Sequence, residues 1–119
     1  MLESIRKESK NEFLSNPTLS SAAEGNLQMI IEVLLDLGNH VIRKNNYSAP
    51  EKYTDIFEIL CDRKILPEEK KDELIKLAKF RNILVHLYTK IDKAQVYDIL
   101  QNNFTLFKET AAQLIKNLQ

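Results

Sequence analysis

A chain of 119 residues, 44% hydrophobic and 29% charged, has the size of one domain and the composition of neither a disordered tail nor a membrane protein. Two glycines, three prolines and one cysteine exclude an all-β fold with its frequent turns, a Gly-rich phosphate loop, and a disulfide- or zinc-stapled scaffold. The 17 basic and 17 acidic residues cancel, no apolar run is long enough to span a bilayer and no apolar signal core opens the chain, so a soluble, cytoplasmic protein without a broad basic coat is expected.

The apolar spacing predicts about five helices and no strand, an all-α up-and-down bundle over residues 1–119 with a radius of gyration of roughly 13–14 Å. Residues 2–14 read as a short peripheral helix marked by Leu2, Ile5, Phe13 and Leu14, and Asn16-Pro17 ends it by disfavouring the α region before proline. Ser21-Ala-Ala-Glu24 has capping-box spacing, so a second helix is expected from Ser20 or Ser21 to about Lys44. Leu27, Ile30, Ile31, Leu34, Leu35 and Val41 form one apolar face of it, and Met29, Val33, Leu37 and Ile42 form another. So wide an apolar circumference fits either a central helix wrapped by its own bundle or one that also meets a second subunit.

Beyond the Asn45-Asn46-Tyr47 loop, Ser48-Ala-Pro50-Glu51 predicts a helix with proline in its first turn, ending near Asp62. Leu66-Pro67-Glu-Glu69 opens the next, which reaches Val85 or beyond. A last helix starts after Asp92 and runs unbroken through Val96, Leu100, Phe104, Phe107, Ala111, Leu114 and Leu118.

The helix from Pro67 carries an anomaly. At 100° per residue Arg81 lies within about 40° of the apolar Leu77 and Val85. A guanidinium there should sit at an edge, a cleft or a subunit interface, where it snorkels to solvent or pairs with a carboxylate such as Asp36. His86 points about 140° away from Arg81, while Asn82 and His86 share a face at i and i+4. The three converge on one ligand only where the helix ends or a cleft straddles that end. Asp36 and His40 have the spacing of an interacting pair, which suits a hydrogen-bonded support for Arg81 better than an added catalytic dyad. Tyr47, Tyr53 and Tyr97 suit core or rim packing better than base stacking, Cys61 reads as a buried thiol, and Arg63-Lys64 and Lys70-Lys71 as solvated surface.

The string Arg81-Asn82-Ile-Leu-Val-His86-Leu-Tyr88, or R-N-x3-H-x-Y, resembles the signature of the HEPN superfamily in its HepT-like branch. The similarity extends to Leu37-Gly-Asn-His40-Val-Ile, to Tyr53-Thr-Asp-Ile-Phe-Glu-Ile-Leu60 with Ile65-Leu66, and to Ile91–Leu100, so it covers roughly residues 20–118 in order. The resemblance implies a homodimeric helical bundle acting as a metal-independent RNase toxin, with no cofactor. Arg81 and His86 would be the catalytic pair and Asn82 the polar residue beside them. The implied partner is an MntA-like minimal nucleotidyltransferase that silences the toxin by transferring AMP onto Tyr88. His86 suits acid–base work at neutral pH, and Arg81 offers a permanently charged fork for a phosphate. A non-catalytic helical subunit that holds substrate or nucleotide for such a transferase is the competing reading. In a neutral dimer with a local cleft, few phosphate contacts and a shallow salt dependence are expected.

Overall fold

Asn16 closes one helix and opens the next. In the computed structural model, which describes residues 9–119 except the Tyr88 side chain, the Asn16 N–H donates to the Phe13 carbonyl while its side-chain oxygen accepts from the Leu19 N–H at 3.1 Å. Pro17 takes the first helical position, where its missing N–H leaves no gap. The long helix therefore starts at Pro17, one turn before the expected Ser20 or Ser21. The Ser21–Glu24 spacing does not cap it, and Ser20 instead donates back to the Pro17 carbonyl.

The described residues form six α-helices and no strand: α1 Lys10–Ser15, α2 Pro17–Lys44, α3 Tyr53–Asp62, α4 Lys71–His86, α5 Lys93–Asn102 and α6 Phe104–Lys116. Short 3-10 turns, Glu68–Lys70 and Tyr88–Lys90, precede and follow α4. The part of the expected first helix before Ser9 lies outside the described residues. Its described end is well anchored, because Phe13 is fully buried with its ring 5.3 Å from that of Tyr97.

Two further boundaries differ from expectation. Residues 48–52 stay non-helical and α3 begins only at Tyr53, because the Asp55 carboxylate accepts from the N–H groups of Glu51 and Lys52 and fixes the start there. The last helix is two helices broken at Asn103, whose φ of −113° and ψ of 10° leave the α region. Asparagine is a weak helix former and two stand together here. The break changes which side chains reach the core: Leu106, Phe107, Thr110 and Leu114 are buried, whereas Phe104 is only partly so. At the start of α5 the expected cap is present, with Asp92 accepting from Ala94 and Gln95.

Helix α2 contacts all five others, so the central-helix reading of its wide apolar surface holds in large part. Leu27, Ile31, Leu34, Leu35, Val41 and Ile42 are buried in the core. Twenty-eight residues at 1.5 Å each make a rod of about 42 Å, which accounts for the 46 Å long axis and a radius of gyration of 14.8 Å, slightly above expectation. Met29 and Val33 remain 60% and 48% exposed, on the side of α2 that the bundle leaves open. Cys61 is buried as expected, its thiol facing the Pro67 carbonyl, and burial pushes its pKa up to about 11. No helix among the described residues is long and apolar enough to cross a membrane.

Gly38 sets the distance between α2 and α3. A Cβ there would stand 2.8 Å from the Ile56 Cγ2 and 2.9 Å from the Leu60 Cδ1, inside van der Waals contact. Gly25, on the same helix, has nothing within 4 Å of such an atom. Alanine gains about 1 kcal/mol of helix propensity over glycine, and overpacking costs roughly 1–3 kcal/mol. Gly25→Ala should raise the melting temperature by a few degrees and Gly38→Ala should lower it. Thermal denaturation followed by circular dichroism checks this, and two shifts of the same sign would contradict the close α2–α3 contact.

Candidate functional site

Arg81 sits on α4 among the half-buried residues flanking Leu77, Ala78 and Leu84, and its side chain is only 12% exposed. Its charge is met by Glu32 of α2, not by Asp36. Arg81 Nε and Nη2 donate to the Glu32 Oε1 at 3.2 and 3.0 Å. Glu32 and Asp36 are one helical turn apart on the same side of α2, so spacing alone does not choose between them; the packing brings α4 to the earlier turn. Asp36 stays exposed nearby, and no hydrogen bond among the described residues joins it to the exposed His40, so the expected Asp36–His40 pair does not form.

Two more groups hold the guanidinium. Nη1 donates to the Asn82 Oδ1 at 3.2 Å, so Asn82 touches its motif neighbour. Tyr53, the first residue of α3, places its ring centroid 4.4 Å from the Arg81 Cζ, a cation–π stack. Tyr53 as a whole is 45% exposed. Glu32, Leu35, Asp36, Tyr53 and Arg81 line an open cleft of about 230 Å³. Glu32 and Tyr53 are thus site residues that the sequence reading did not assign to Arg81. The available signals were indirect: Glu32 lies on the second helix's polar edge beside Met29 and Val33, and Tyr53 opens the segment that carries the family resemblance.

His86 is the last residue of α4 and is exposed. Leu87 leaves the helix with φ −128° and ψ 40°, its N–H still donating to the Ile83 carbonyl. Within one chain, Arg81 and His86 share no hydrogen bond among the described residues; the arginine turns into the cleft between α2 and α3, and the histidine stands at the helix end. Tyr88 begins the 3-10 turn two residues further on, and its side chain is outside the described set. The other two cationic clusters are surface features: Lys71 bridges Asp62 at 2.8 Å and Glu68 at 3.7 Å, and Arg63 lies over the Tyr47 ring.

Comparison with known proteins then gives a consistent picture. The model of the family described as HepT-like, Ribonuclease HepT-like, matches residues 1–114. YutE of Bacillus subtilis, whose name marks it as a candidate RNase, is 35% identical over 81 residues, 68% of this chain and 56% of YutE. The chain thus matches little more than half the length of that relative. The mRNA nuclease HepT of Shewanella oneidensis is 27% identical over 99 residues, 83% of this chain and 74% of the relative. Among solved structures, the tri-AMPylated Shewanella oneidensis HEPN toxin in complex with MNT antitoxin superposes with a TM-score of 0.86 at 25% identity, covering 97% of this chain and 85% of that one. A toxin–antitoxin structure with AMP-PNP superposes at 0.82 with 23% identity, covering 95% and 88%, and shares the fold.

The ion pair is partly open to solvent, with Glu32 38% exposed, so its stabilising effect is small. Surface-type pairs contribute 0–1 kcal/mol and an exposed cation–π stack about as much. Arg81→Ala should therefore cost only about 1–2 kcal/mol of unfolding free energy in urea. A larger loss would mean that the arginine serves chiefly to hold the bundle together.

Proposed function

Because the chain belongs to the HepT-like ribonuclease family, we propose that it is an endoribonuclease toxin that works without a metal ion and is silenced by AMP on Tyr88. The observation that carries this reading is an arginine almost wholly removed from solvent yet lining an open cleft, at the head of an intact R-N-x3-H-x-Y string. Burying a guanidinium for stability alone is a poor investment compared with an apolar side chain. Its placement favours an anionic ligand instead.

In this mechanism His86 takes the proton from a ribose 2′-OH. The 2′-oxygen bonds to the adjacent phosphorus, the bond from phosphorus to the 5′-oxygen breaks, and a 2′,3′-cyclic phosphate is left. Arg81 meets the negative charge that builds on the non-bridging oxygens. Asn82, whose Oδ1 is occupied by Arg81, has its amide N–H groups to offer the phosphate. The departing 5′-oxygen needs a proton, and one histidine cannot give and take in a single step. A homodimer supplies a second His86 as the acid, and the exposed Met29 and Val33 beside Glu32 give α2 a surface for that contact. The separation of Arg81 from His86 within one chain favours this composite arrangement.

Silencing follows from charge and bulk. A nucleotidyltransferase partner of the MNT kind would direct the Tyr88 phenolic oxygen onto the α-phosphorus of ATP, with pyrophosphate leaving. The adduct adds phosphodiester charge two residues from His86 and repels RNA.

Purified protein should cleave single-stranded RNA in EDTA to products ending in cyclic phosphate. Arg81→Ala and His86→Ala should each lower the rate by at least about 100-fold while keeping the helical circular dichroism. Undiminished cleavage in both variants, or restoration only by a divalent ion, would rule the mechanism out.

Incubation with a cognate nucleotidyltransferase and ATP should add whole AMP units to the intact mass and abolish cleavage. Tyr88→Phe should gain none. Equal AMP addition to the phenylalanine variant would place the modification elsewhere.

A further inference from the structure

The residues that hold Arg81 most firmly lie outside its motif. Glu32 Oε1 takes two donors from one edge of the guanidinium, at 3.2 Å from Nε and 3.0 Å from Nη2, and Gln28 Nε2 supports the same oxygen at 3.5 Å. Tyr53 covers one face of the plane at 4.4 Å. Asn82 takes one N–H of Nη1. A guanidinium carries five N–H donors in a rigid, planar fork. Three are engaged, so among the described residues two remain, one on each terminal nitrogen. Both lie in the guanidinium plane and can donate to the oxygens of a phosphate.

Two roles are open to a carboxylate in this place. As a stand-in for the phosphate it would have to leave before RNA binds. As a brace it would stay and aim the arginine. The carboxylate engages the Nε edge and leaves a donor on each terminal nitrogen, which is the arrangement of a brace. The stacked tyrosine adds a second constraint, since it prevents the plane from tipping. Both come from helices other than α4, so the orientation of Arg81 is set by the α2–α3–α4 packing, not by its own rotamer preference.

We propose that Glu32 and Tyr53 are positioning residues that aim the free N–H pair of Arg81 at a phosphodiester of RNA, a role that rests on the ribonuclease reading above. Neither touches the reacting atoms. Glu32 fixes the in-plane direction and Tyr53 the tilt. Removing Glu32 also removes a negative charge from the cleft, so RNA binding should not weaken even as turnover falls. A residue that only supports the fold would not separate the two quantities in this way.

The test is steady-state cleavage of a fluorophore–quencher RNA oligonucleotide by the full chain, with melting temperatures measured in parallel. Glu32→Ala should lower kcat about 30- to 100-fold, the order expected for a misdirected catalytic group, with KM unchanged or lower. Glu32→Gln keeps the Oε1 acceptor and should recover kcat to within about 5-fold of wild type. Tyr53→Phe keeps the ring and should stay near wild type, while Tyr53→Ala should lose about 10-fold. Wild-type kcat in Glu32→Ala overturns the assignment, as does an equal loss in Glu32→Gln accompanied by the same fall in melting temperature. Arg81→Ala separates the two readings. If it is inactive while Glu32→Ala is fully active, only the positioning role fails. If it cleaves normally, or if the wild-type chain does not cleave, the ribonuclease reading fails and the positioning role with it.

Discussion

One guanidinium ties three helices together. Arg81 leaves α4, bonds to Glu32 on α2 and lies under Tyr53 at the head of α3. An unpaired charge so far from solvent would cost several kcal/mol, so the three helices must meet where a carboxylate and a ring are both within reach. Gly38 makes that possible about 1.7 turns beyond Glu32. Its missing Cβ lets Ile56 and Leu60 of α3 come against α2, and α3 then presents Tyr53 over the arginine. The cleft is thus a consequence of how the bundle packs, although the interaction at its centre adds little net stability.

The helices were largely legible from apolar periodicity because α2 carries its core stripe in every turn from Ala23 to Ile42. Their ends were less so. Asn16-Pro17 is a stop signal by the proline rule and a start signal by the capping rule, and both operate at once. The stripe from Val96 to Leu118 looks continuous as a pattern, yet Asn103 breaks it, and α5 and α6 each pack on α2. A one-dimensional pattern does not contain that packing.

The site shows the same division. Arg81 stood out as a charge beside an apolar stripe, which left it either to snorkel to solvent or to pair with a carboxylate, and the packing chose the pair. Which carboxylate was a question of register between α2 and α4, and Glu32 and Asp36 satisfy the periodicity equally. Tyr53 belongs to a separate helix and meets Arg81 only through the tertiary fold. His86 ends α4 exposed to solvent, and that position is what makes a second protomer chemically useful in the proposed reaction. The open side of α2, with Met29 and Val33 next to Glu32, would carry that contact past the arginine.

If Glu32 is a brace, it keeps Arg81 by its Nε edge while RNA binds; if it is a stand-in for phosphate, it lets go. Arginine side-chain NMR distinguishes these directly. Labelled protein titrated with a non-cleavable 2′-deoxy oligonucleotide should show the Arg81 Nη signals moving while the Nε–H signal stays in place and protected from exchange. An Nε–H signal that shifts in step with Nη and loses its protection would mean that phosphate displaces Glu32, and would contradict an arginine aimed in advance by its neighbours.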